Sequence, residues 1–170
     1  ACGTLHSLCF SILNRGQVLN LTGRHPRPLL KYEAKHLIRD LPNEQFGTVF
    51  QRERRLRAFE AAWARLQHEE PGWPPTPTDQ EFQDAVQAWL VFHRAMLVSE
   101  MISETLRYLR DNPVAPERSR FQHVLVDEYQ DLNRAEQELI DLLARDARLT
   151  VIGDDDQSIY GFKSANPEGI

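Results

Sequence analysis

The stretch Val124-Leu-Val-Asp-Glu-Tyr-Gln-Asp131 decides the fold. Its apolar run, Val124 to Val126, has the composition of a buried parallel strand, and Asp127 and Glu128 follow where that strand would end. The carboxyl ends of parallel strands form the edge at which open α/β folds bind ligands. One carboxylate there can hold Mg²⁺ beside a nucleotide phosphate, and its neighbour can orient an attacking water. For these two residues taken alone, an acidic strand-to-helix turn without chemistry is the alternative.

A second strand and an intervening helix extend this stretch into a βαβ unit. Residues 149–152 are rich in β-branched side chains and are followed by Gly153 and three aspartates. Residues 133–145 carry apolar side chains at helical spacing, with Asn133 as N-cap and Glu136 completing a capping box. Because such crossovers are right-handed almost without exception, we expect both acidic turns at the same edge of one sheet.

The two acidic motifs together are similar to those of a known family. Val126-Asp-Glu-Tyr-Gln-Asp131, followed by Ile152-Gly-Asp-Asp-Asp-Gln-Ser-Ile-Tyr-Gly-Phe162, resembles the second and third motifs of the UvrD/Rep/PcrA-like superfamily 1 DNA helicases. Residues 3–13 resemble the Thr-Phe-His-Ser segment of that family. The resemblance implies an α/β fold: a partial parallel-sheet P-loop NTPase (RecA-like) lobe that carries a mainly helical inserted subdomain.

The resemblance also implies a division of the chain. Residues 1–15 and 117–170 are expected to form part of the RecA-like ATPase lobe, and residues 16–116 the helical insertion, which in this family faces duplex DNA. Residues 1–5 are expected to be strand and the residues after Ser7 helix. Apolar spacing predicts further helices at four places: residues 30–41, residues 44–68, from Thr78 onward, and residues 99–110.

The phosphate-binding loop of the family has no counterpart in this sequence. No Gly-x-x-x-x-Gly-Lys-Ser/Thr motif occurs, and no Gly-Lys dipeptide occurs anywhere. We therefore expect the chain to be a fragment of the first RecA-like lobe, with the remaining helicase lobes outside it. In isolation it is expected to be inactive as an ATPase, because that loop supplies the groups that cradle the phosphates.

Three residues match the family's ATP-site positions. By the resemblance, Asp127 binds Mg²⁺ and the nucleotide, and Glu128 is the general base that orients water for attack on the γ-phosphate. Gln157 senses that phosphate and counts as both a catalytic and a cofactor-binding residue. The implied cofactors are ATP and Mg²⁺.

Two groups of residues match the family's DNA-binding positions. The first, near the amino end, meets the single-strand backbone, with a buried structural role as the alternative for His6. The second lies on the strand-tracking surface, where Phe162 can stack on a base or pack in a core, and Lys163 stands where the family has Arg. The two groups are Thr4, His6 and Ser7, and Tyr160, Phe162 and Lys163.

Charge is unevenly distributed along the chain. The net charge is −5, yet residues 1–65 hold 11 Lys and Arg against 5 Asp and Glu, whereas residues 127–170 hold 4 against 11. Acidic residues near a metal–nucleotide site and basic residues elsewhere in the chain are compatible with a DNA-dependent ATPase. Four arginines on the predicted helix over residues 44–68 can contact DNA phosphates or simply form a solvated surface: Arg52, Arg54, Arg55 and Arg57.

Composition excludes several other classes. A hydrophobic content of 41% fits a soluble globular protein, no apolar run approaches the ~20 residues that span a membrane, and a cytoplasmic location is expected. Cys2 and Cys9 give no disulfide framework, and packing is a better account of them than a metal site with His6.

The resemblance implies part of an ATP-dependent 3′-to-5′ DNA helicase or translocase of repair or replication, with single-stranded and duplex DNA as partners and no membrane. Two alternatives stay open. One is a helicase–nuclease subunit of the recombination type. The other is a non-catalytic DNA- or protein-binding module that lacks the phosphate loop.

Overall fold

The computed structural model of the chain describes residues 2–153; Ala1 and residues 154–170 lie outside that description. In chain order the described α-helices and strands are α1 (Leu5–Leu13), α2 (Gly16–Thr22), α3 (Lys31–Asp40), α4 (Asn43–Phe46), α5 (Val49–Ala64), α6 (Pro77–Phe92), α7 (Glu100–Asp111), β1 (His123–Val126), α8 (Arg134–Ala144) and β2 (Arg148–Val151). No helix within this described span is long and apolar enough to cross a membrane.

The βαβ unit is confirmed. Strands β1 and β2 pair in parallel, in a register that runs from His123 opposite Arg148 to Val126 opposite Val151, and α8 connects them. The predicted cap also starts α8: the side chain of Asn133 accepts a hydrogen bond from the backbone N–H of Glu136 at 3.0 Å, and the Glu136 carboxylate accepts one from the N–H of Asn133 at 3.0 Å. The complete RecA-like lobe with its insertion stays a prediction.

The first hydrophobic core lies among α1, α7 and α8. Helix α7 contributes most to it, because its apolar residues recur at helical spacing along one face. Around α7 pack the inner faces of α1 and α8. The fully buried members include Cys9, Leu13, Leu106, Leu109 and Leu139.

The second core lies among α3, α4, α5 and α6. Its centre is a group of three rings: Phe82 packs edge-on to Phe46, with ring centroids 5.3 Å apart, and stacks on Phe59 at 5.7 Å. Aromatic pairs of this geometry add about 0.5–1.5 kcal/mol beyond the area that they bury. The second core is therefore held by aromatic packing, whereas the first is mainly aliphatic.

A buried ionic network joins α6 and α7 to the segment before α3. Arg24 pairs with Glu100 at 2.7 Å, and Gln87 accepts a hydrogen bond from Arg24 and donates one to Glu100 at 2.9 Å. Burial raises the pKa of the Glu100 carboxyl, and the charge of Arg24 opposes that shift. Because Gln87 lies on α6 and Glu100 on α7, the network fixes how these two helices meet.

The single helix predicted over residues 44–68 is wrong. Gly47, at φ 80°, ends α4, and Thr48 then caps a new helix, α5, by accepting a hydrogen bond from the N–H of Gln51. At the other end Leu66 takes the left-handed conformation, with φ 58°. The apolar spacing runs across both breaks, which is why spacing alone did not reveal them.

The amino-terminal expectations also need correction. The residues before Leu5 are not strand, because Thr4 is already the N-cap of α1. Gly16–Thr22, to which the apolar spacing assigns no element, is helix α2, which ends at Gly23 in the left-handed conformation. The helix expected from Thr78 begins one residue earlier, since Thr76 caps it and Pro77 takes the first helical position.

The strands are less buried than their composition predicts. Leu125 is 68% exposed, and all four residues of β2 are exposed. Parallel strands are normally covered on both faces. Within the span that the structure describes, nothing covers these side chains, and only Val124 and Val126 of the two strands are half-buried.

We expect Phe82→Ala to lower the free energy of unfolding by about 3–5 kcal/mol, because it removes the ring on which two others pack. Urea unfolding followed by circular dichroism measures this. Phe50→Ala is the matched control, since its ring is 67% exposed and its loss should cost under about 1 kcal/mol. Equal losses from both variants would contradict the second core.

Candidate active site

The acidic turn after β1 is bound to the end of β2 by two backbone hydrogen bonds. The N–H of Ile152 donates to the carbonyl of Val126 at 2.8 Å, and the N–H of Tyr129 donates to the carbonyl of Ile152 at 3.0 Å. Asp127 and Glu128 lie in the chain between these two bonds, and Gly153 lies beside Tyr129 and Gln130. The two strand ends therefore meet at one edge, as the sequence predicts, and two carboxylates are exposed there.

Glu128 has a backbone conformation that its residue type disfavours. Its φ is 53° and its ψ is 43°, the left-handed region, which costs a residue with a Cβ roughly 1–2 kcal/mol. The adjacent Asp127 side chain accepts a hydrogen bond from the Glu128 N–H at 3.0 Å. Strain of this kind concentrates at functional sites, where the surrounding structure holds it.

Gln130 positions the Glu128 side chain, a role that the sequence reasoning missed. It is buried, and its amide donates a hydrogen bond of 2.6 Å to the Glu128 carboxylate. A Cβ added at Gly153 would lie 2.6 Å from the Gln130 side-chain oxygen, so a larger residue there would displace Gln130. The sequence signal that could have revealed this role is the presence of a glutamine inside the acidic motif, two residues after Glu128.

The chemistry of this edge suits Mg²⁺. The carboxylates of Asp127 and Glu128 are exposed oxygen donors, which a hard divalent cation prefers. Residues 2–153 bring together no group of three or more candidate metal ligands. That is compatible with Mg²⁺, which is usually held by one or two carboxylates together with substrate phosphates and water.

The amino-terminal candidates form a helix cap. The Thr4 hydroxyl oxygen accepts a hydrogen bond from the N–H of Ser7 at 3.2 Å, and the Ser7 hydroxyl donates to the Thr4 carbonyl at 2.7 Å. Thr4 and Ser7 are exposed and His6 is half-buried. No hydrogen bond or ion pair within the described span joins this cap to Asp127 or Glu128. The other candidates, Gln157, Tyr160, Phe162 and Lys163, lie outside the described residues.

Two of the four arginines on α5 have structural roles. Arg52 is 1% exposed and donates hydrogen bonds to the Leu41 carbonyl and the Asn43 side chain. Arg55 donates to the Phe46 carbonyl at 2.8 Å and pairs with Asp79 at 3.2 Å. For Arg52, therefore, both predicted roles, phosphate contact and solvated surface, are wrong. Arg55 is engaged in contacts within the protein. Arg54 and Arg57 are exposed.

The two cysteines lie in opposite environments. Cys9 is fully buried in the first core, and that burial raises the pKa of its thiol to about 12. A metal ligand would have to be a thiolate, so Cys9 is a packing residue. Cys2 is exposed.

Comparison with known proteins agrees with the motifs. The family model for the UvrD/REP helicase N-terminal domain matches residues 1–170. The chain therefore belongs to this family, and the resemblance seen in the sequence is confirmed.

Three relatives are similar to the chain. It is 31% identical to an ATP-dependent DNA helicase PcrA of Staphylococcus aureus strain Mu50, over 98% of the chain and 24% of that protein. It is 48% identical to an ATP-dependent DNA helicase Rep of Buchnera aphidicola, over 31% of the chain and 8% of that protein. It is 40% identical to a DNA helicase II of Haemophilus influenzae, over 45% of the chain and 11% of that protein.

These matches cover only part of the relatives. The chain spans about a quarter of the length of the PcrA protein to which it is similar over nearly all of its own length. The activities of those whole proteins are therefore proposals for this chain.

We expect Glu128→Gly to raise the free energy of unfolding by roughly 0.5–1 kcal/mol, because the relief of the left-handed strain outweighs the loss of the hydrogen bond from Gln130. Urea unfolding measures the change. Asp127→Gly is the control: its φ is not positive, so it should lower stability instead. A stability loss with Glu128→Gly as large as that with the control would show that Glu128 is not strained.

The raised pKa of Cys9 predicts a difference in thiol reactivity. At pH 8, where its thiolate is negligible, Cys9 should resist a thiol-specific reagent while Cys2 reacts at once. Counting modified thiols before and after adding urea checks this, and both should react in the unfolded chain. Modification of both cysteines in the folded protein would contradict the burial of Cys9.

Proposed function

We propose that the intact protein is an ATP-dependent DNA helicase or translocase, which couples ATP hydrolysis to 3′-to-5′ movement on single-stranded DNA. The observation that carries this proposal is the pair of exposed carboxylates at the shared edge of a parallel strand pair, in a chain of the UvrD/REP family. Single-stranded and duplex DNA are the proposed partners, DNA repair or replication the proposed setting, and the cytoplasm the proposed location.

Asp127 and Glu128 have different proposed roles at this edge. Asp127 would hold Mg²⁺ directly or through water; when bound, the ion would neutralise negative charge on the nucleotide phosphates. The Glu128 carboxylate would accept a proton from the water that attacks the γ-phosphate, a role worth about 10²–10⁴ in rate. The donated hydrogen bond from Gln130 supports this assignment, because it fixes one Glu128 oxygen and leaves the other for water.

The remaining assignments rest on the family motifs. Gln157 would sense the γ-phosphate and link it to DNA. Tyr160, Phe162 and Lys163 would contact the tracked strand, and Thr4, His6 and Ser7 its backbone. The cap between Thr4 and Ser7 gives these two residues a structural role, which they would keep while contacting DNA through exposed atoms.

We also propose the division of the chain into a lobe (residues 1–15 and 117–170) and a helical insertion (residues 16–116). The second core supports it, because α3, α4, α5 and α6 all lie inside the proposed insertion. Helix α7 packs instead in the core that α1 and α8 share. Its packing therefore associates α7 with the lobe, although its residues lie within the proposed insertion.

Two other functions remain as alternatives. A helicase–nuclease subunit would share every motif described above. A non-catalytic DNA- or protein-binding module is favoured by one observation: the chain contains no Gly-Lys dipeptide and so no phosphate loop of its own.

We expect Glu128→Gln in the intact protein to preserve ATP binding and to reduce DNA-stimulated ATP turnover at least about 100-fold, because the amide keeps the size of the side chain but cannot accept the proton. A coupled phosphate-release assay and nucleotide binding by fluorescence measure the two effects. Glu53→Gln, at an exposed carboxylate on α5, is the control and should leave both unchanged.

Three outcomes of this experiment would change the proposal. Turnover near the unsubstituted rate in Glu128→Gln would remove Glu128 from the mechanism. Absence of both ATP binding and turnover in the unsubstituted intact protein would favour the non-catalytic module. DNA cleavage by the intact protein that persists in Glu128→Gln would favour the helicase–nuclease alternative.

A further inference from the structure

A cavity of about 360 Å³ lies between the turn that follows α7 and the turn that follows α8. Its volume is within the range of about 300–1,000 Å³ that is typical of ligand sites. The lining includes two cations, one acid, a hydroxyl and an apolar wall. The residues that provide them are Arg118, Arg145, Asp146, Ser119, Pro113 and Val114.

Backbone hydrogen bonds hold the two walls of the cavity. The N–H of Arg148 donates to the Gln122 carbonyl at 2.9 Å and so joins the segment after α8 to the segment before β1. In the other wall, the N–H of Ala115 donates to the Asn112 carbonyl at 3.0 Å, directly after α7. The shape of the cavity is therefore set by the fold and does not depend on a ligand.

The cavity lies at the opposite end of the strands from the acidic turn. Its lining residues precede β1 and β2 in the chain, whereas Asp127 and Glu128 follow β1. Four residues of strand span roughly 13 Å, at about 3.3 Å each. A ligand in this cavity is therefore separate from a nucleotide at the Asp127–Glu128 turn.

Arg118 is a fixed cation in the wall of the cavity. It is 8% exposed, and its guanidinium donates a hydrogen bond of 2.8 Å to the Leu109 carbonyl in the last turn of α7. The side chain of Arg118 forms no ion pair within residues 2–153, because the adjacent Glu117 pairs with Arg15 and accepts a hydrogen bond from Tyr108 at 3.2 Å. One bond therefore holds the guanidinium in place and leaves its other N–H groups for a ligand.

Arg145 is the second cation of the cavity. It follows the last residue of α8 and is exposed, and in the part of the chain that the structure describes it has no carboxylate partner. Asp146, also exposed, pairs with no cation in the same span. The cavity thus presents two cations and one acid whose charges the described protein does not neutralise.

We propose that this cavity, here named the Arg118–Arg145 cavity, binds an acidic segment of a partner protein. A carboxylate of the partner lies between the guanidinium groups of Arg118 and Arg145. A main-chain N–H of the partner donates to Asp146. An apolar side chain beside the carboxylate packs on Pro113 and Val114.

The composition of the lining selects a peptide over other anions. Guanidinium groups bind carboxylates and phosphates equally well in geometry, so the two arginines alone do not decide. Asp146 does: it repels a doubly charged phosphate, and it can accept a hydrogen bond from the N–H groups that a peptide carries beside its carboxylates. Val114 is 95% exposed and gives an apolar side chain of the peptide a surface to cover.

The test starts from a phage library of random octapeptides, selected on the intact protein without nucleotide, Mg²⁺ or DNA. Selected sequences should be enriched in Asp or Glu next to Leu, Ile or Val. An enriched peptide is then synthesised with a fluorescein label, and its affinity is measured by fluorescence anisotropy. The same peptide with Gln or Asn in place of each acid should bind at least about tenfold more weakly, because it cannot form the charge-assisted hydrogen bonds.

Substitutions in the cavity locate the bound peptide. Arg145→Gln should lower the affinity about tenfold, and Arg145→Lys should lower it less, since lysine keeps the charge but loses the planar fork. Val114→Asp should also lower it about tenfold, by placing a negative charge beside the bound carboxylate. Arg148→Gln is the matched control: Arg148 is exposed and lies three residues after Arg145 but does not line the cavity, so affinity should stay within about twofold. Circular dichroism checks that each variant is folded.

Four results would overturn the proposal. The first is a selection that enriches no acidic peptides, or peptides that bind Arg145→Gln as tightly as the unsubstituted protein. The second is an equal loss with Arg148→Gln, which would show non-specific attraction. The third is displacement by millimolar inorganic phosphate but not by sodium chloride of the same ionic strength, which would assign the cavity to a free phosphate.

The fourth result concerns the rest of the protein. If Arg145→Cys in the folded intact protein resists a thiol-specific reagent that modifies the exposed Cys2, another part of the protein already fills the cavity. None of the four results depends on ATP turnover, so they leave the proposed activity of the Asp127–Glu128 turn untouched.

Discussion

The buried ion pair between Arg24 and Glu100 is the constraint that ties α6 and the segment before α3 to α7. Removing two charges from water costs several kcal/mol per ion, and only good geometry offsets it. Glu100 has that geometry: it accepts from Arg24 at 2.7 Å, from Gln87 at 2.9 Å and from the backbone N–H of Leu97 at 3.3 Å. Apolar side chains would tolerate several packings of α6 against α7. We infer that this ion pair permits only one arrangement of the two helices, because any shift of one helix relative to the other would leave a charge buried and unpaired.

Local signals in the sequence were enough for the parts of the fold that depend on neighbouring residues. The capping box of Asn133 and Glu136 and the apolar spacing after it gave α8, and the flanking β-branched runs gave the parallel strand pair. Family motifs then gave the acidic edge. The breaks at Gly47 and Leu66 were not predictable in the same way, because a left-handed residue changes the direction of the chain without interrupting its apolar spacing. Leu66 is a residue type for which that conformation is rare.

Arg52 shows where a sequence signal existed and was not used. It lies four residues before Leu56, seven before Phe59 and eleven before Trp63, and therefore on the buried face of α5. A cation at the head of an apolar row needs carbonyl or carboxylate partners, and the Leu41 carbonyl at the end of α3 provides one. The exposure of β1 and β2 is different in kind. The composition of a strand shows what it is suited to pack against, and within the described span Leu125 and all four residues of β2 stay exposed.

The strain at Glu128 connects the fold to the proposed chemistry. A glycine would take this conformation at no steric cost, so the fold alone does not require a carboxylate there. The hydrogen bonds that hold the turn come from three directions: the end of β2, the Asp127 side chain and the buried Gln130. Together they hold the turn where it would otherwise relax, and they leave the Glu128 side chain exposed. The conformation of Glu128 thus lowers the stability of the fold but fixes the position of the carboxylate. This is expected where an acid must lie beside the water that attacks a phosphate.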